Sequence, residues 1–289
     1  MAEPYSHSCV SFTADGVAYR RTFTDIPLSK EIFAILQMIQ GPIDPEELER
    51  IKIPEIVPFF EARYKIIDLL LNQAGIKHVF ELAAGLSPRG ILKASHDPAV
   101  KYLEVDLPEK AKLKAEIISE LMYGKKIGYG NIFIRQGNVI NPDVFKMATR
   151  LFNLHPHERV VVINEGLLRY FTFEERTILA THILDFLKIF GGVWITPDIT
   201  RQEGMPPHIA KAVEINKAIE KKIGRSLTEQ QFKSEEQARS FFENLGLRVK
   251  SYPFELVHDL LSSPKILGLS ADSVEKTLSG RVVFVMSPA

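Results

Sequence analysis

The sequence predicts an α/β fold, a doubly wound and mostly parallel sheet, on three observations. Short apolar runs rich in β-branched residues alternate with segments of helical period from about residue 59 to residue 196, the rhythm of a parallel sheet covered on both faces. One run, His78-Val-Phe-Glu-Leu-Ala-Ala-Gly-Leu-Ser-Pro-Arg-Gly90, stops at an acid and enters a small, glycine-containing turn, as a strand does when it hands over to a cofactor loop. Another, Val100-Lys-Tyr-Leu-Glu-Val-Asp106, ends in a carboxylate 21 residues after Gly85, close to the ~20-residue spacing at which βαβ units place an acid under a ribose.

The elements follow in order. Residues 1–60 are the least regular: a polar start, a helix near Lys30 to Ile39, then a path through Pro42, Pro45, Pro54 and Pro58. Prolines at that density favour extended or turn segments, so this portion reads as an N-terminal cap on a core domain spanning 61–289. From Phe59 to Ala74, Ile66, Ile67, Leu69, Leu70 and Leu71 keep helical spacing and Gly75 supplies the stop. Strands are expected at 78–83, 100–105, 132–135, 159–164 and 193–196, with helices at 109–122, 142–152 and 172–190 between them. Two polar helices, at about Pro207 to Ile223 and Ser234 to Leu245, form an insertion over about 201–246. Leu247 to Pro253 and Arg281 to Met286 then complete seven strands, with an antiparallel pair placing the C-terminal strand at one edge.

Composition narrows the function classes. The chain has 45% apolar and 25% charged residues, and no run approaches the ~18 apolar residues of a membrane helix. With 36 Lys and Arg against 36 Asp and Glu, there is no basic field for nucleic acid, and the basic stretch from Lys217 to Arg225 reads as a solvated helix face. Cys9 is the single cysteine, and the N-terminus lacks the basic and apolar regions of a secretory signal, so a cytoplasmic setting is expected.

The turn after the first strand departs from a dinucleotide loop. Ala83-Ala-Gly85-Leu-Ser-Pro-Arg-Gly90 lacks the G-x-G-x-x-G triplet, which argues against a nicotinamide-dependent oxidoreductase. Glu81 and Arg89 beside the turn suit a cofactor carrying both an ammonium and a carboxylate. The chain resembles the class I S-adenosylmethionine-dependent methyltransferases, specifically the leucine carboxyl methyltransferase-like family that includes polyketide-type O-methyltransferases. The resemblance rests on E-L-A-A-G-L-S-P-R-G, on Y-L-E-V-D-L-P-E-K-A-K-L-K from Tyr102 to Lys114, on N-E-G-L-L-R-Y-F from Asn164 to Phe171, and on V-S-F-T-A-D-G-V-A-Y-R-R from Val10 to Arg21.

The resemblance implies a Rossmann-like methyltransferase sheet, S-adenosyl-L-methionine as cofactor, and a set of site residues. Gly85 would admit the methionyl part against bare backbone, and Asp106 would take the ribose hydroxyls, although a helix N-cap or turn role fits Asp106-Leu-Pro-Glu as well. Asn138 stands where the family usually has an Asp that reads the adenine amino group; it keeps an acceptor oxygen without the charge, and the Val139 backbone would add the complementary contact. Glu165 would meet the cofactor's ammonium or lie near its sulfonium, the alternative being a salt bridge to Arg169 or another arginine. Arg63 would fork onto the cofactor carboxylate with Arg20 or Arg21, and Arg89 competes for that role.

The expected activity is O-methyl transfer to a carboxyl or hydroxyl group. The acceptor is expected to be a small molecule, since nothing marks a protein-docking surface; a protein C-terminal carboxyl methyltransferase and a non-catalytic cofactor-binding protein are the alternatives. A carboxylate acceptor needs no general base, whereas a hydroxyl does, for which Tyr170, His208 and His258 are the candidates. His155-Pro-His157 falls short of a metal-ligand set, and no metal is expected.

Overall fold

The computed structural model describes residues 8–123, 131–199, 216–221 and 224–289. Three helices precede the sheet region: α1 (Ser8–Arg21), α2 (Ser29–Gln40) and α3 (Pro45–Ile51). The alternation then runs α4 (Val57–Ala74), β1 (His78–Leu82), α5 (Arg89–His96), β2 (Lys101–Asp106), α6 (Pro108–Met122), β3 (Asn131–Gln136), α7 (Asp143–Phe152), β4 (Val160–Asn164), α8 (Phe173–Phe190) and β5 (Gly192–Thr196). The C-terminal part adds α9 (Glu235–Asn244), β6 (Leu247–Pro253), α10 (Ser263–Leu267), α11 (Ala271–Leu278) and β7 (Val282–Pro288).

Among the described residues the strands form one seven-stranded sheet in the order β3, β2, β1, β4, β5, β7, β6. The first five are parallel, with Phe80 beside Leu103 on β2 and Val162 on β4. β7 runs antiparallel to both β5 and β6. The C-terminal strand is therefore antiparallel as expected, but it lies one place in from the edge and β6 takes the edge. The side chains explain the exchange. Val-Val-Phe-Val-Met of β7 is apolar on both faces and suits an inner position, while Leu247-Arg-Val-Lys250 alternates buried and exposed residues, as an edge strand with charges does.

Two apolar layers sandwich the sheet. Phe80, Leu82, Val160 and Val162 face α7, α8 and α9 through Phe145, Ile183, Leu187 and Phe242. Val79, Tyr102, Val161 and Ile163 face α4 and α11 through Ile66, Ile67, Val274 and Leu278. The parity of these residues along each strand is the period-2 rule at work. α8 starts on a capping box, with Thr172 accepting from the Glu175 amide and Glu175 reaching back to the Thr172 amide.

The N-terminal portion is more helical than its prolines suggest. Pro45 opens α3, with Asp44 Oδ1 accepting the Glu46 amide at 2.9 Å; Pro54 and Pro58 likewise fall in first turns. A proline there lacks only a donor that would be orphaned anyway, so these residues start helices rather than break them. α1 has no apolar stripe in its sequence. Its inward face is set by tertiary contacts: Ala18 packs with Ile32 and Leu36 of α2 and Leu113 and Ile117 of α6. Of the expected insertion, residues 216–221 are helical, and the remainder of the Pro207 to Ile223 helix, with His208, lies outside the described residues.

Candidate active site

The strand order reverses between β1 and β4, so the loops leaving their carboxyl ends diverge and open a crevice. A cleft of about 180 Å³ occupies it. Its walls come from the β1 turn (Ala83 to Leu86), the β2 end (Asp106, Leu107, Lys110), the β4 end (Glu165, Arg169, Tyr170), and α1 and α4 (Arg20, Arg21, Phe60, Arg63).

The β1 turn is built from two left-handed residues, Ala83 at φ 52° and Gly85 at φ 53°. The first is unfavourable for a side-chain-bearing residue, at about 1–2 kcal/mol. A neighbouring strand holds the turn in place: Asp106 Oδ2 accepts the Gly85 amide at 2.7 Å and Oδ1 accepts the Leu107 amide at 2.8 Å. Burial raises the Asp106 carboxyl above its ordinary value, against the pull of those two amides. The turn-acid alternative for Asp106 is thus realised, and each oxygen, with one amide donor, keeps a further lone pair.

Glu165 is the centre of a buried ionic network. Its Oε1 accepts from Arg21 Nη2 at 2.9 Å and from Arg63 Nε and Nη2, each at 3.1 Å; its Oε2 accepts from Arg89 Nη2 at 2.8 Å. Arg89 Nε reaches Asp68 Oδ1 at 2.9 Å, Arg89 Nη1 reaches Glu81, and the Tyr102 hydroxyl donates to Glu81 Oε2 at 2.6 Å. Three guanidiniums thus face three carboxylates. Burial alone would raise the Glu165 pKa, but Arg21, Arg63 and Arg89 outweigh it and hold the carboxyl well below the usual range. Arg89 moves the other way: burial opposes its charge, yet Glu81, Glu165 and Asp68 leave it raised well above normal.

α4 presents the rings that organise these cations. The guanidinium carbons of Arg20 and Arg63 each lie 5.2 Å from the Phe60 ring centre, and those of Arg21 and Arg89 lie 5.4 and 4.5 Å from Tyr64. Such stacking offsets part of the cost of burying guanidinium. Arg20 is 6% exposed, donates to the Gly16 carbonyl at 3.2 Å, and is lowered to about 10 by burial. Arg169 donates to Asn216 Oδ1 at 2.8 Å. Neither has a carboxylate partner among the described residues, and the Nε atoms of Arg20, Arg21 and Arg169 are buried without a hydrogen-bond acceptor.

Of the residues expected from sequence, the fold brings Arg20, Arg21, Arg63, Gly85, Asp106, Glu165 and Tyr170 to this cleft. Glu81 and Arg89 lie behind it, fully enclosed, and act on it through Glu165. Asn138 and Val139 are not among the residues lining the cleft: Asn138 is exposed in the turn after β3, its Oδ1 accepting the Ile140 amide at 3.1 Å, and Val139 is buried in the core with residues of α7 and α8. His258 is exposed on the turn Phe254–Leu260 beside Asp259 and is not part of the cleft lining. His155 and His157 are exposed in the turn before β4. Sequence reasoning missed Asp68, Tyr64 and Phe60; the available signal was their spacing on α4, where residues 60, 63, 64 and 68 share one helix face.

The fold is shared with solved structures of low sequence identity. A DUF574 family protein from Streptomyces avermitilis matches with 13% identity over 96% of both chains and a TM-score of 0.58. A putative methyltransferase from Thermobifida fusca matches with 11% identity over 94% of both chains and a TM-score of 0.57. Against LepI, solved with SAH and a substrate analogue, 74% of this chain covers 43% of the longer one at 11% identity and a TM-score of 0.45. No curated protein matches in sequence. A sequence model of the leucine carboxyl methyltransferase family matches residues 22–184, more than half of the chain and most of the site just described, so the protein belongs to the leucine carboxyl methyltransferase family of class I S-adenosylmethionine-dependent methyltransferases.

Proposed function

We propose that this protein is an S-adenosylmethionine-dependent O-methyltransferase whose acceptor presents a carboxylate. The observation that carries the reading is the Glu165 network beside the Gly85 to Asp106 clip. Glu165 offers an anionic acceptor for an ammonium, and Arg63 and Arg21 offer donors for a carboxylate. A zwitterionic methionyl group matches that charge-balanced set, and the buried, unsatisfied Nε of Arg21 is an orphan donor at the same place. Gly85 presents bare backbone: a Cβ there would meet only Ala14, at 3.6 Å. Asp106 would take the ribose hydroxyls with its remaining lone pairs.

When bound, the cofactor supplies an electrophilic methyl on a sulfonium. The chain's own contribution is to orient two ligands and keep the site dry. Arg20 and Arg169 have no carboxylate partner among the described residues and stand on the same cleft, so they suit the anionic end of an acceptor. A carboxylate needs no proton removed before it attacks, which agrees with a described cleft lining that contains no histidine. A hydroxyl acceptor would instead rely on Tyr170.

Transfer of a labelled methyl group from S-adenosylmethionine to a panel of small carboxylic acids and phenols tests this. The expected product releases methanol in mild alkali, as a methyl ester does, and Arg169→Ala raises the acceptor KM about tenfold or more with little change in cofactor affinity. An alkali-stable methyl ether would contradict the carboxylate assignment.

A further inference from the structure

We infer that Asp198 is the positioning residue of this site: it aims Glu165 without touching either ligand. The inference rests on the cofactor reading above for what Glu165 does, but the geometry that carries it is separate.

Asp198 follows β5 by one proline, in Thr196-Pro-Asp198, and is 6% exposed. It does not line the cleft. Its carboxylate collects four donors from the loop that leaves β4: Oδ1 accepts the Gly166 amide at 2.7 Å, and Oδ2 accepts the Leu167 amide at 2.6 Å, the Leu168 amide at 3.1 Å and the Asn164 side-chain amide at 2.7 Å. Asn164 is itself fully engaged. It accepts from Trp194 Nε1 at 2.7 Å and donates to Thr196 Oγ1 at 2.9 Å, and the Thr196 hydroxyl oxygen also accepts the Asp198 amide at 3.2 Å.

The residues on either side of Glu165 are therefore both tied to one carboxylate just past the end of β5, an inner strand. Gly166 is left-handed, at φ 81°, and a Cβ there would press on Arg63 Nη2 at 3.3 Å, so the backbone passes close beneath the guanidinium that Glu165 must meet. With Asn164 and Gly166 held, the Glu165 backbone is fixed at the point from which its side chain meets Arg21, Arg63 and Arg89. The same clamp starts the turn Leu168–Tyr170, which sends Arg169 and Tyr170 to the cleft. Arg176 Nε closes the far side, donating to the Leu168 carbonyl at 2.9 Å. All four donors come from residues 164–168, and Asp198 stands off the cleft lining, so it acts through the loop.

A double-mutant cycle on cofactor affinity separates positioning from general support. Asp198→Asn keeps the shape but turns an amide group toward amide donors. In the wild-type background it is expected to weaken S-adenosylmethionine binding at least tenfold by calorimetry; in the Glu165→Gln background the same substitution is expected to change affinity less than threefold. Equal fold-losses in the two backgrounds would overturn the inference. If Glu165→Gln alone leaves affinity intact, the assignment of Glu165 to the cofactor fails first, a result distinct from additivity. Should Asp198→Asn not fold, Thr196→Ala removes the hydroxyl under both Asn164 and Asp198 and carries the same cycle, with the same non-additivity expected and additivity again overturning it.

Discussion

Glu104 and Glu165 are both buried acids, and their surroundings push them in opposite directions. Glu165 has three guanidiniums and is held low. Glu104, on β2 beside Glu81, has Lys114 Nζ 2.6 Å from Oε2 but no well-formed hydrogen bond to either oxygen, and burial raises it to about 7. With an unfolded value of ~4.3 for Glu, the Glu165 contribution is present above that pH and lost as pH falls through the folded pKa. For Glu104 the cost of ionisation is absent below ~4.3 and grows until pH passes about 7. Urea unfolding between pH 5 and 7.5 is expected to show a decline in stability that Glu104→Gln abolishes; parallel curves would count against it. Gly90 reports on the same spot, since a Cβ there would lie 2.3 Å from Glu104 Oε1. Gly90→Ala is expected to cost about 1–3 kcal/mol in thermal or urea unfolding. Single residues were the scale at which sequence reading was weakest. Asp106 and Glu165 stood out because they end apolar strands, whereas Asp198 was invisible: nothing in Thr196-Pro-Asp198 says that three amides of another loop converge on it.

Strands and long helices were legible because their burial pattern is written in local periodicity. β4 was expected at 159–164 and spans Val160–Asn164; α8 was expected at 172–190 and spans Phe173–Phe190. α1, which has no apolar stripe, and the short helices α3 and α5, whose stability comes from packing, were not. α1 matters most for function because its last two residues, Arg20 and Arg21, are buried at the cleft and Arg21 completes the Glu165 network. Lys110 of α6 ties the same helix down through Asp15 at 2.9 Å. Deleting residues 1–25 is expected to weaken S-adenosylmethionine binding at least tenfold while the remaining chain keeps a cooperative thermal transition. A truncated protein that binds normally would show that α1 is dispensable to the site.

At the scale of the whole molecule, one topological event places the chemistry. Strand order reverses at β1 and β4, the first two connections leave Gly85 and Asp106 on one side of the gap and Glu165 on the other, and α1 and α4 close it with arginines stacked on Phe60 and Tyr64. The C-terminal strands complete the sheet from behind, with Glu61 of α4 accepting the Ser262 and Ser263 amides at 2.8 and 2.9 Å to fasten the last third of the chain to the core. Among the described residues no helix is long and apolar enough to cross a membrane. The central claim is that this gap receives the methyl donor through Glu165 and Asp106. Calorimetric titration with S-adenosylmethionine tests it most directly: the wild type is expected to bind at one site, and Glu165→Gln and Asp106→Ala each to lose about 1–3 kcal/mol of binding. Absence of binding in the wild type, or unchanged affinity in both variants, would contradict the account.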